Sequence, residues 1–188
     1  MKILGIAGTN GSGKDSVGKL LADKHGYLFV SVTDILRDEL QRRGLPTERE
    51  HMRNLSAEWR RESGLGVLID KAQELFLAQN NAYKGLAIAS LRNPGEVDRV
   101  HELGGKVIWV DADPRVRYER VAGRGRVDDN KTFEQFLAEE EAEMKHSGDA
   151  ATLSMGDVKS RADIKLANNF ETLDEFENSI VSQLATIL

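Results

Sequence analysis

The stretch GIAGTNGSGKDSV, residues 5–17, decides the fold that the sequence predicts. Gly8, Gly13 and Lys14 match the pattern G-x-x-x-x-G-K, in which backbone N–H groups surround phosphate oxygens and the lysine reaches the outer phosphates. A short apolar run at residues 3–7 precedes the stretch, and apolar residues at helical spacing follow it. This order of strand, loop and helix is the setting that phosphate binding needs. The loop residues expected to contact a nucleotide are Gly8, Asn10, Gly11, Ser12, Gly13 and Lys14.

The composition is that of a globular protein and excludes several kinds of site. The 188 residues suit one domain, and they are 40% hydrophobic and 30% charged with a net charge of -5. The chain has no cysteine, which excludes disulfides and thiolate metal sites. The acidic balance argues against a general nucleic-acid-binding face, and no apolar run reaches the roughly 18 residues of a membrane span. We therefore expect one cytoplasmic domain, residues 1–188, that binds neither nucleic acid nor membrane; the oligomeric state stays open.

Short apolar runs alternate with helical patterns along the chain. The strand candidates are residues 3–7, 27–32, 85–91, 106–112 and 162–167. Parallel strands need crossover helices, so this order predicts a three-layer α/β/α phosphate-loop NTPase fold with a parallel sheet of about five strands. Two helical patterns in series, between the second and third strands, indicate an insert at about residues 45–80. Ligands gather at the carboxyl ends of parallel strands, so the residues that follow strands are the site candidates.

Asp15 stands where the loop pattern ordinarily places the serine or threonine that binds magnesium. Here the sequence resembles the nucleoside monophosphate kinases, such as adenylate and cytidylate kinase, in which a small residue and then a hydroxyl follow the lysine. By that resemblance Ser16 fills the hydroxyl position, and Asp15 takes the small-residue position, as in phage deoxynucleoside monophosphate kinases. A carboxylate beside phosphates is repelled unless a divalent cation lies between them. The resemblance therefore implies ATP as the nucleotide and Asp15 and Ser16 as ligands of Mg²⁺.

The stretch SVTDILRDEL, residues 31–40, resembles the segment after the second strand of adenylate kinases, where an aspartate precedes an arginine by three positions. Asp34 and Arg37 match it, and the spacing directs both side chains into one cleft, where Arg37 would bind an acceptor phosphate. The alternatives are that Thr33 or Asp34 caps the helix and that Arg37 forms a surface ion pair.

The stretch ASLRNPGEVDRV, residues 89–100, resembles the arginine-containing turn that closes the acceptor site in the same kinases. Arg92 is the matching residue. Ser90 departs from the pattern, because it stands near the place where many relatives carry an acidic residue that orders magnesium. Asp15 is the candidate replacement for that acid.

The stretch RVRYERVAGRGRVDD, residues 115–129, resembles the helix and lid of the same superfamily. Arg120, Arg124 and Arg126 are the matching positions, and the resemblance implies a lid at about residues 120–130 in which Arg120 and Arg124 stabilise the transferring phosphoryl group. The alternative is a solvated basic turn.

Three further stretches receive less specific interpretations. The acidic run at residues 134–144 and the basic helix at residues 48–64 are expected to be solvated faces. The stretch ADIKLANN, residues 162–169, resembles the final strand and loop that contact adenine in these kinases. Asn168 would then meet a base edge, although a strand-ending turn explains it equally well.

The resemblance covers nearly the whole chain and implies an ATP- and magnesium-dependent kinase. It would move the γ-phosphoryl group to a small phosphorylated acceptor, preferably a nucleoside or deoxynucleoside monophosphate. Lys14 would hold the β- and γ-phosphates, and Arg37 and Arg92 the acceptor. One alternative is a dephospho-coenzyme A kinase, in which Asp34 would be the general base toward a sugar hydroxyl. Another is a nucleotide-binding regulator with little turnover.

Overall fold

The computed structural model describes residues 2–80, 82–124, 131–145 and 148–188. The strands are β1 Lys2–Gly8, β2 Tyr27–Ser31, β3 Gly85–Leu91, β4 Lys106–Asp111 and β5 Ile164–Ala167. The helices in these ranges are α1 Lys14–His25, α2 Val32–Arg42, α3 Arg49–Ser63, α4 Val67–Leu77, α5 Pro94–Glu102, α6 Pro114–Ala122, α7 Phe133–Met144, α8 Met155–Arg161 and α9 Leu173–Leu184.

The strands form one parallel sheet in the order β2-β3-β1-β4-β5. The chain passes from β1 to one side of the sheet to form β2 and β3, and later to the other side to form β4 and β5. The loop that leaves β1 therefore lies at the point where the strand order reverses, and Gly8 ends β1 opposite Val110 of β4. A crevice at this point is the usual ligand site of an open parallel sheet.

Helices cover both faces of the sheet, because alternate residues of each buried strand point to opposite sides. In β1, Ile3 and Ala7 join an apolar cluster with residues of α2, α4, α5 and α8. Leu4 and Ile6 join a second cluster with residues of α1 and α9. The result is the three-layer α/β/α fold that the sequence predicts.

Helix α2 begins earlier than the predicted caps at Thr33 or Asp34 would place it. It begins at Val32, and Ser31 occupies its N-cap position without a side-chain hydrogen bond. The prediction that Thr33 or Asp34 caps this helix is therefore wrong. Asp34 lies inside the first turn, where its carboxylate pairs with the side chain of Arg37 one turn later.

Helix α8 has no counterpart among the predicted elements. It is only seven residues long and includes Gly156, so its sequence gives a weak helical pattern. It buries Met155 and Val158 against the same cluster as α5. None of the helices in the described part of the chain has the length and apolar character that a membrane span requires.

Candidate functional site

The loop between β1 and α1 has a backbone that favours glycine at two positions. Gly11 has a φ of 80° and Gly13 a φ of 95°, both in the left-handed region. A Cβ on Gly11 would lie 2.5 Å from the carbonyl oxygen of Arg117, and a Cβ on Gly13 would lie 2.3 Å from Nδ2 of Asn168. No side chain caps the first turn of α1, so the positive end of this helix is open to an anion, and the N–H of Ser16 donates to the Gly13 carbonyl over 3.0 Å. The loop therefore has the backbone that binding a phosphate requires.

Asn168, just after β5, supports this loop from the adjoining segment. Its side chain is buried, and Nδ2 donates a hydrogen bond of 2.8 Å to the carbonyl of Ser12. The Ser12 hydroxyl is also buried and has no hydrogen-bond partner among the described residues. An orphaned buried hydroxyl needs an explanation, and a ligand oxygen would satisfy it. The structure thus places Asn168 against the loop, while its contact with a base stays a prediction.

Lys14 lies at the start of α1 and is 7% exposed. Burial lowers its pKa from 10.5 to about 8, with Asp15 raising the pKa and Arg92 and Arg124 lowering it further. Removing an ammonium group from water is costly when no anion accompanies it. An anionic ligand in contact with Lys14 would relieve this cost.

Asp15 and Ser16 follow Lys14 in the first turn of α1. The Asp15 carboxylate is exposed and lines the same cavity as Lys14, whereas Ser16 is partly buried. Both side chains present the hard oxygen ligands that Mg²⁺ prefers. Within the described ranges, no group of three or more His, Cys, Asp or Glu side chains is placed to hold a metal ion. Asp15 and Ser16 are the residues that are able to hold Mg²⁺ beside the loop, with phosphate oxygens or water as its other ligands.

A cavity of about 440 Å³ opens beside the loop, at the carboxyl ends of β1, β2 and β3. It brings together residues that were predicted to contact the nucleotide, to contact the acceptor and to belong to the lid. The predicted site residues that line the cavity are Asn10, Lys14, Asp15, Asp34, Arg37, Arg92 and Arg124. The residues that follow successive strands thus meet at one edge of the sheet, as parallel topology requires.

Asp34 and Arg37 enter the cavity as an ion pair. Nη1 of Arg37 lies 2.5 Å from Oδ1 of Asp34, and the two side chains are 35% and 65% exposed. An exposed pair of this kind contributes little to stability. The ion pair can therefore be broken at little cost in free energy, which leaves both side chains able to bind a ligand.

Arg92 follows β3, and its backbone is held by Glu96 of α5. The N–H of Arg92 donates to Oε2 of Glu96 over 2.7 Å, and Asn93 donates to the same oxygen over 3.2 Å. The Asn93 side chain completes a capping box at the start of α5. This network fixes the direction in which Arg92 leaves the sheet.

Ser90, the residue noted for lacking a carboxylate, bulges out of the sheet. Ile6 pairs with Ala89 and Ala7 with Leu91, so Ser90 has no partner in the ladder between β1 and β3. Its φ is 71°, a left-handed conformation that costs a non-glycine residue of order 1 kcal/mol or more. Ser90 lines the cavity. Strain and bulges of this kind concentrate at functional sites.

The two described lid arginines have different surroundings. Arg124 lines the cavity with Lys14. The guanidinium of Arg120 instead donates to the carbonyls of Asn168 and Phe170, over 3.0 and 3.1 Å. Burial lowers the pKa of Arg120. Arg126 lies outside the described residues.

The acidic helix α7 is not a fully solvated face, so that expectation is wrong for two of its carboxylates. Glu140 forms an ion pair with Arg117, whose side chain is 2% exposed. Glu143 forms ion pairs of 2.6 Å with Arg53 and 2.9 Å with Arg92. No spacing in the sequence marks these two acids, because their partners lie on other elements.

The basic helix α3 also differs from the expected solvated face at three positions. Arg60 is buried and pairs with Glu96, and both Arg49 and Arg53 line the cavity. The insert therefore contributes cations to the site. Only a tertiary contact distinguishes these arginines from the exposed Arg61 beside them, which pairs with Asp149.

Asp111 ends β4 and is a further residue that sequence reasoning missed. It accepts hydrogen bonds from Thr9 of the loop over 3.0 Å and from Lys159 of α8 over 3.0 Å. Partial burial raises the pKa of Asp111, but bonds from Lys159, Trp109 and Thr9 lower it overall. Its position at the carboxyl end of a strand in an open parallel sheet was the signal that could have identified Asp111 as a site candidate.

Comparison with known proteins gives the family. A family model described as "AAA domain" matches residues 4–146. The UPF0200 protein of Pyrobaculum aerophilum is 33% identical over 182 residues, covering 96% of this chain and 95% of that protein. The UPF0200 protein of Pyrococcus horikoshii is 31% identical over 195 residues, covering 99% and 97% respectively.

Solved structures show the same fold at low sequence identity. Shikimate kinase from Bacteroides thetaiotaomicron superposes with a TM-score of 0.57 at 14% identity, over 98% of this chain and 97% of that chain. Shikimate kinase from Acinetobacter baumannii, in complex with shikimate, gives 0.55 at 14% identity over 98% and 93%. The predicted phosphate-loop kinase-like fold is therefore confirmed. From the match to its family model and from its whole-length similarity to these relatives, the chain belongs to the AAA domain family and is a member of the UPF0200 proteins.

Proposed function

We propose that this protein is an ATP-dependent kinase that transfers the γ-phosphoryl group to a small phosphorylated acceptor, preferably a nucleoside or deoxynucleoside monophosphate. The observation that carries the proposal is the single cavity joining Lys14 to arginines from three other parts of the chain. These are Arg37 of α2, Arg92 after β3 and Arg124 after α6. Phosphoryl transfer depends mainly on positioning and on stabilising negative charge, so fixed cations around a cleft suit it.

In this proposal Lys14 and the loop backbone hold the β- and γ-phosphates, and Arg37 and Arg92 hold the phosphate of the acceptor. An oxygen of that phosphate attacks the γ-phosphorus, and the new P–O bond forms as the bond to the β–γ bridging oxygen breaks. ADP leaves with the bonding electron pair. Arg124 stabilises the charge of the transferring group. The attacking oxygen is already anionic, so no proton has to be removed.

Arg120 has a separate role in the proposal. Its guanidinium is held by two carbonyls of the segment after β5, the same segment whose Asn168 supports the loop. We assign Arg120 to positioning that segment. Residues 1–188 act as one domain, in which the insert at about residues 45–80 carries acceptor contacts and residues of about 120–130 form the lid.

Magnesium fits the proposal through Asp15 and Ser16. The Asp15 carboxylate lies in the cavity beside Lys14, where an unneutralised carboxylate would repel phosphates. When bound, Mg²⁺ would supply neutralisation of phosphate charge. Asp15 would hold the ion in place of the acid that is missing at Ser90, and Ser16 would add its hydroxyl.

A hydroxyl acceptor, as in dephospho-coenzyme A kinase, is the second candidate. The observation that favours it is Asp34, whose exposed carboxylate lines the cavity and is able to act as a general base. Two fold neighbours are named shikimate kinase, so shikimate is a further acceptor to test.

The test is a radiolabelled transfer assay with ATP and Mg²⁺. Ribo- and deoxynucleoside monophosphates, dephospho-coenzyme A and shikimate are offered separately to the wild-type protein and to Asp34→Asn. Asp38→Asn is the matched control, because Asp38 lies on the same helix, is exposed and is absent from the cavity lining. We expect a monophosphate to be labelled and Asp34→Asn to slow transfer less than about tenfold. Labelling of a hydroxyl acceptor, with a loss of about 100-fold or more in Asp34→Asn, would support the second candidate instead.

A further inference from the structure

Glu143 lies between two arginines that come from different parts of the fold. Its Oε1 accepts from Nη2 of Arg53 in α3 over 2.6 Å, and its Oε2 accepts from Nη1 of Arg92 over 2.9 Å. The Glu143 side chain is 18% exposed, and it lines the cavity together with both arginines. A carboxylate thus bridges the two cations at the wall of the proposed acceptor site.

The surroundings of Glu143 are strongly cationic. Burial raises its pKa, but Arg92, Arg53 and Arg49 lower it overall, so the side chain is an anion at neutral pH. Glu143 also acts on Lys14, whose pKa it raises. The carboxylate is therefore within electrostatic reach of the loop lysine as well as of the arginines.

The geometry of the Glu143 contacts matches what a phosphate group would make. Each of its two oxygens accepts from a different guanidinium, and a phosphate has three oxygens that can do the same. Guanidinium groups bind carboxylates and phosphates in the same way. Nη2 of Arg53 and Nη1 of Arg92 both donate to Glu143, so a phosphate that takes these two donors has to displace the carboxylate.

We propose that Glu143 occupies the place of the acceptor's phosphate in the free protein and selects for phosphorylated acceptors by competing with them. When a carboxylate ligand displaces Glu143, the arginines exchange one monoanion for another, so little binding free energy is gained. A phosphate brings more charge and another acceptor oxygen, so it gains more from the same two arginines. Selection of this kind disfavours the wrong ligand as well as binding the right one. The inference rests on the proposed function for the identity of the site, but its test does not need turnover.

The experiment measures anion binding to the protein without nucleotide. Inorganic phosphate and acetate are titrated separately, by calorimetry, into the wild-type protein and Glu143→Gln, which keeps the shape of the side chain and removes its charge. Glu141→Gln is the matched control, since Glu141 lies on the same helix, is 70% exposed and pairs with Lys145. We expect Glu143→Gln to bind phosphate about tenfold more tightly, the worth of one charge contact of about 1.4 kcal/mol.

Two further results complete the expectation. Acetate binding should become measurable in Glu143→Gln, because the competing carboxylate is gone. The gain in phosphate affinity should disappear when Arg92→Met is added, which separates this site from the loop around Lys14. Glu141→Gln should bind both anions as the wild-type protein does.

Weaker or unchanged phosphate binding in a folded Glu143→Gln would overturn the proposal, since it would mean that Glu143 orients the arginines for the ligand. If Glu143→Gln does not fold, Glu143→Asp provides the test, because its shorter side chain cannot bridge both arginines. It should show a smaller gain of the same sign, and no gain would overturn the proposal. Tighter phosphate binding without transfer to any acceptor would leave the Glu143 proposal standing and contradict the kinase proposal alone.

Discussion

Nη2 of Arg60 lies 2.7 Å from Oε1 of Glu96, and the two side chains are 2% and 0% exposed. The other oxygen of Glu96 accepts from the N–H groups of Arg92 and Asn93, and Arg60 also donates to the carbonyl of Ala151 over 2.9 Å. One buried ion pair thus joins the insert helix α3 to the turn that carries Arg92. The side of the cavity that we propose for the acceptor depends on this junction.

Arg60→Met should therefore destabilise the protein strongly. It leaves the Glu96 carboxylate buried without its cation, and breaking a buried pair in this way costs about 3–5 kcal/mol. Arg61→Met is the control, because Arg61 is exposed and its pair with Asp149 should be worth about 1 kcal/mol or less. Urea unfolding measures both. Equal losses in the two variants would show that the buried pair does not anchor the insert.

Gly13→Ala should abolish nucleotide binding. A methyl group there would lie 2.3 Å from Asn168 Nδ2, and the residue would keep a φ of 95°. Gly44→Ala isolates the backbone strain, because Gly44 has a φ of 68° and nothing within 4 Å of a built Cβ. We expect Gly44→Ala to lose about 1 kcal/mol of stability and to bind ATP normally. Normal ATP binding by Gly13→Ala, measured by calorimetry, would contradict the assignment of the loop.

Asn168→Asp should weaken ATP binding about tenfold, because the carboxylate cannot donate to the Ser12 carbonyl and a buried acceptor loses its partner. Asn169→Asp adds the same charge one residue later and keeps the oxygen that accepts from the N–H of Asp113 over 2.7 Å. It should bind ATP as the wild-type protein does. Similar losses in both variants would attribute the effect to charge and not to the lost hydrogen bond.

ATP binding should weaken as the pH rises above about 8. Burial gives Lys14 a pKa of about 8 in the free protein, and bound phosphates would raise it by favouring the ammonium form. Binding then takes up a proton above the free pKa, so the dissociation constant is flat below about pH 8 and rises above it by at most about tenfold per pH unit. Calorimetry from about pH 7 to pH 10 checks this. Lys14→Ala should lose the dependence, and a wild-type curve that stays flat to pH 10 would be incompatible with the shifted pKa.

The lowered pKa of Lys14 also makes the free energy of unfolding depend on pH. The dependence has the opposite sign to that of a lysine whose pKa is raised by an ion pair. The pKa of Lys14 is lower in the folded protein, about 8, than the value of 10.5 for a solvated lysine. The unfolded chain therefore binds more protons at this site between these two pH values. As the pH rises through this range, the free energy of unfolding of the wild-type protein should increase relative to that of Lys14→Ala.

The fold was predictable because it depends on local patterns. Apolar runs of strand length, a glycine-rich stretch and helical spacing located the five strands of the described residues and the glycine loop between β1 and α1. Parallel topology then brought the residues after β1, β2 and β3 together in the cavity. The short helix α8 escaped prediction because its stability comes from burying Met155 and Val158 against other elements.

The charged partners of the site were not predictable, because they depend on contacts distant in sequence. Arg60 and Arg61 are neighbours of the same type, yet one is buried against Glu96 and the other is exposed. Glu143 lies in an acidic run whose spacing gives no sign of its two arginine partners. Sequence patterns specify which face of a helix is apolar, but the partner of a charge is set only when the helices pack.

The most direct test of the kinase proposal is the initial rate of γ-phosphoryl transfer from ATP to the acceptor found by the screen, in wild-type protein, Lys14→Ala and Lys24→Ala. Lys24 lies on the same helix, is 59% exposed and pairs with Glu177 outside the cavity lining. We expect acceptor-dependent formation of ADP in wild type and Lys24→Ala, and a loss of about 100-fold or more in Lys14→Ala. ATP binding without transfer to any acceptor, or transfer that Lys14→Ala leaves intact, would contradict the kinase proposal.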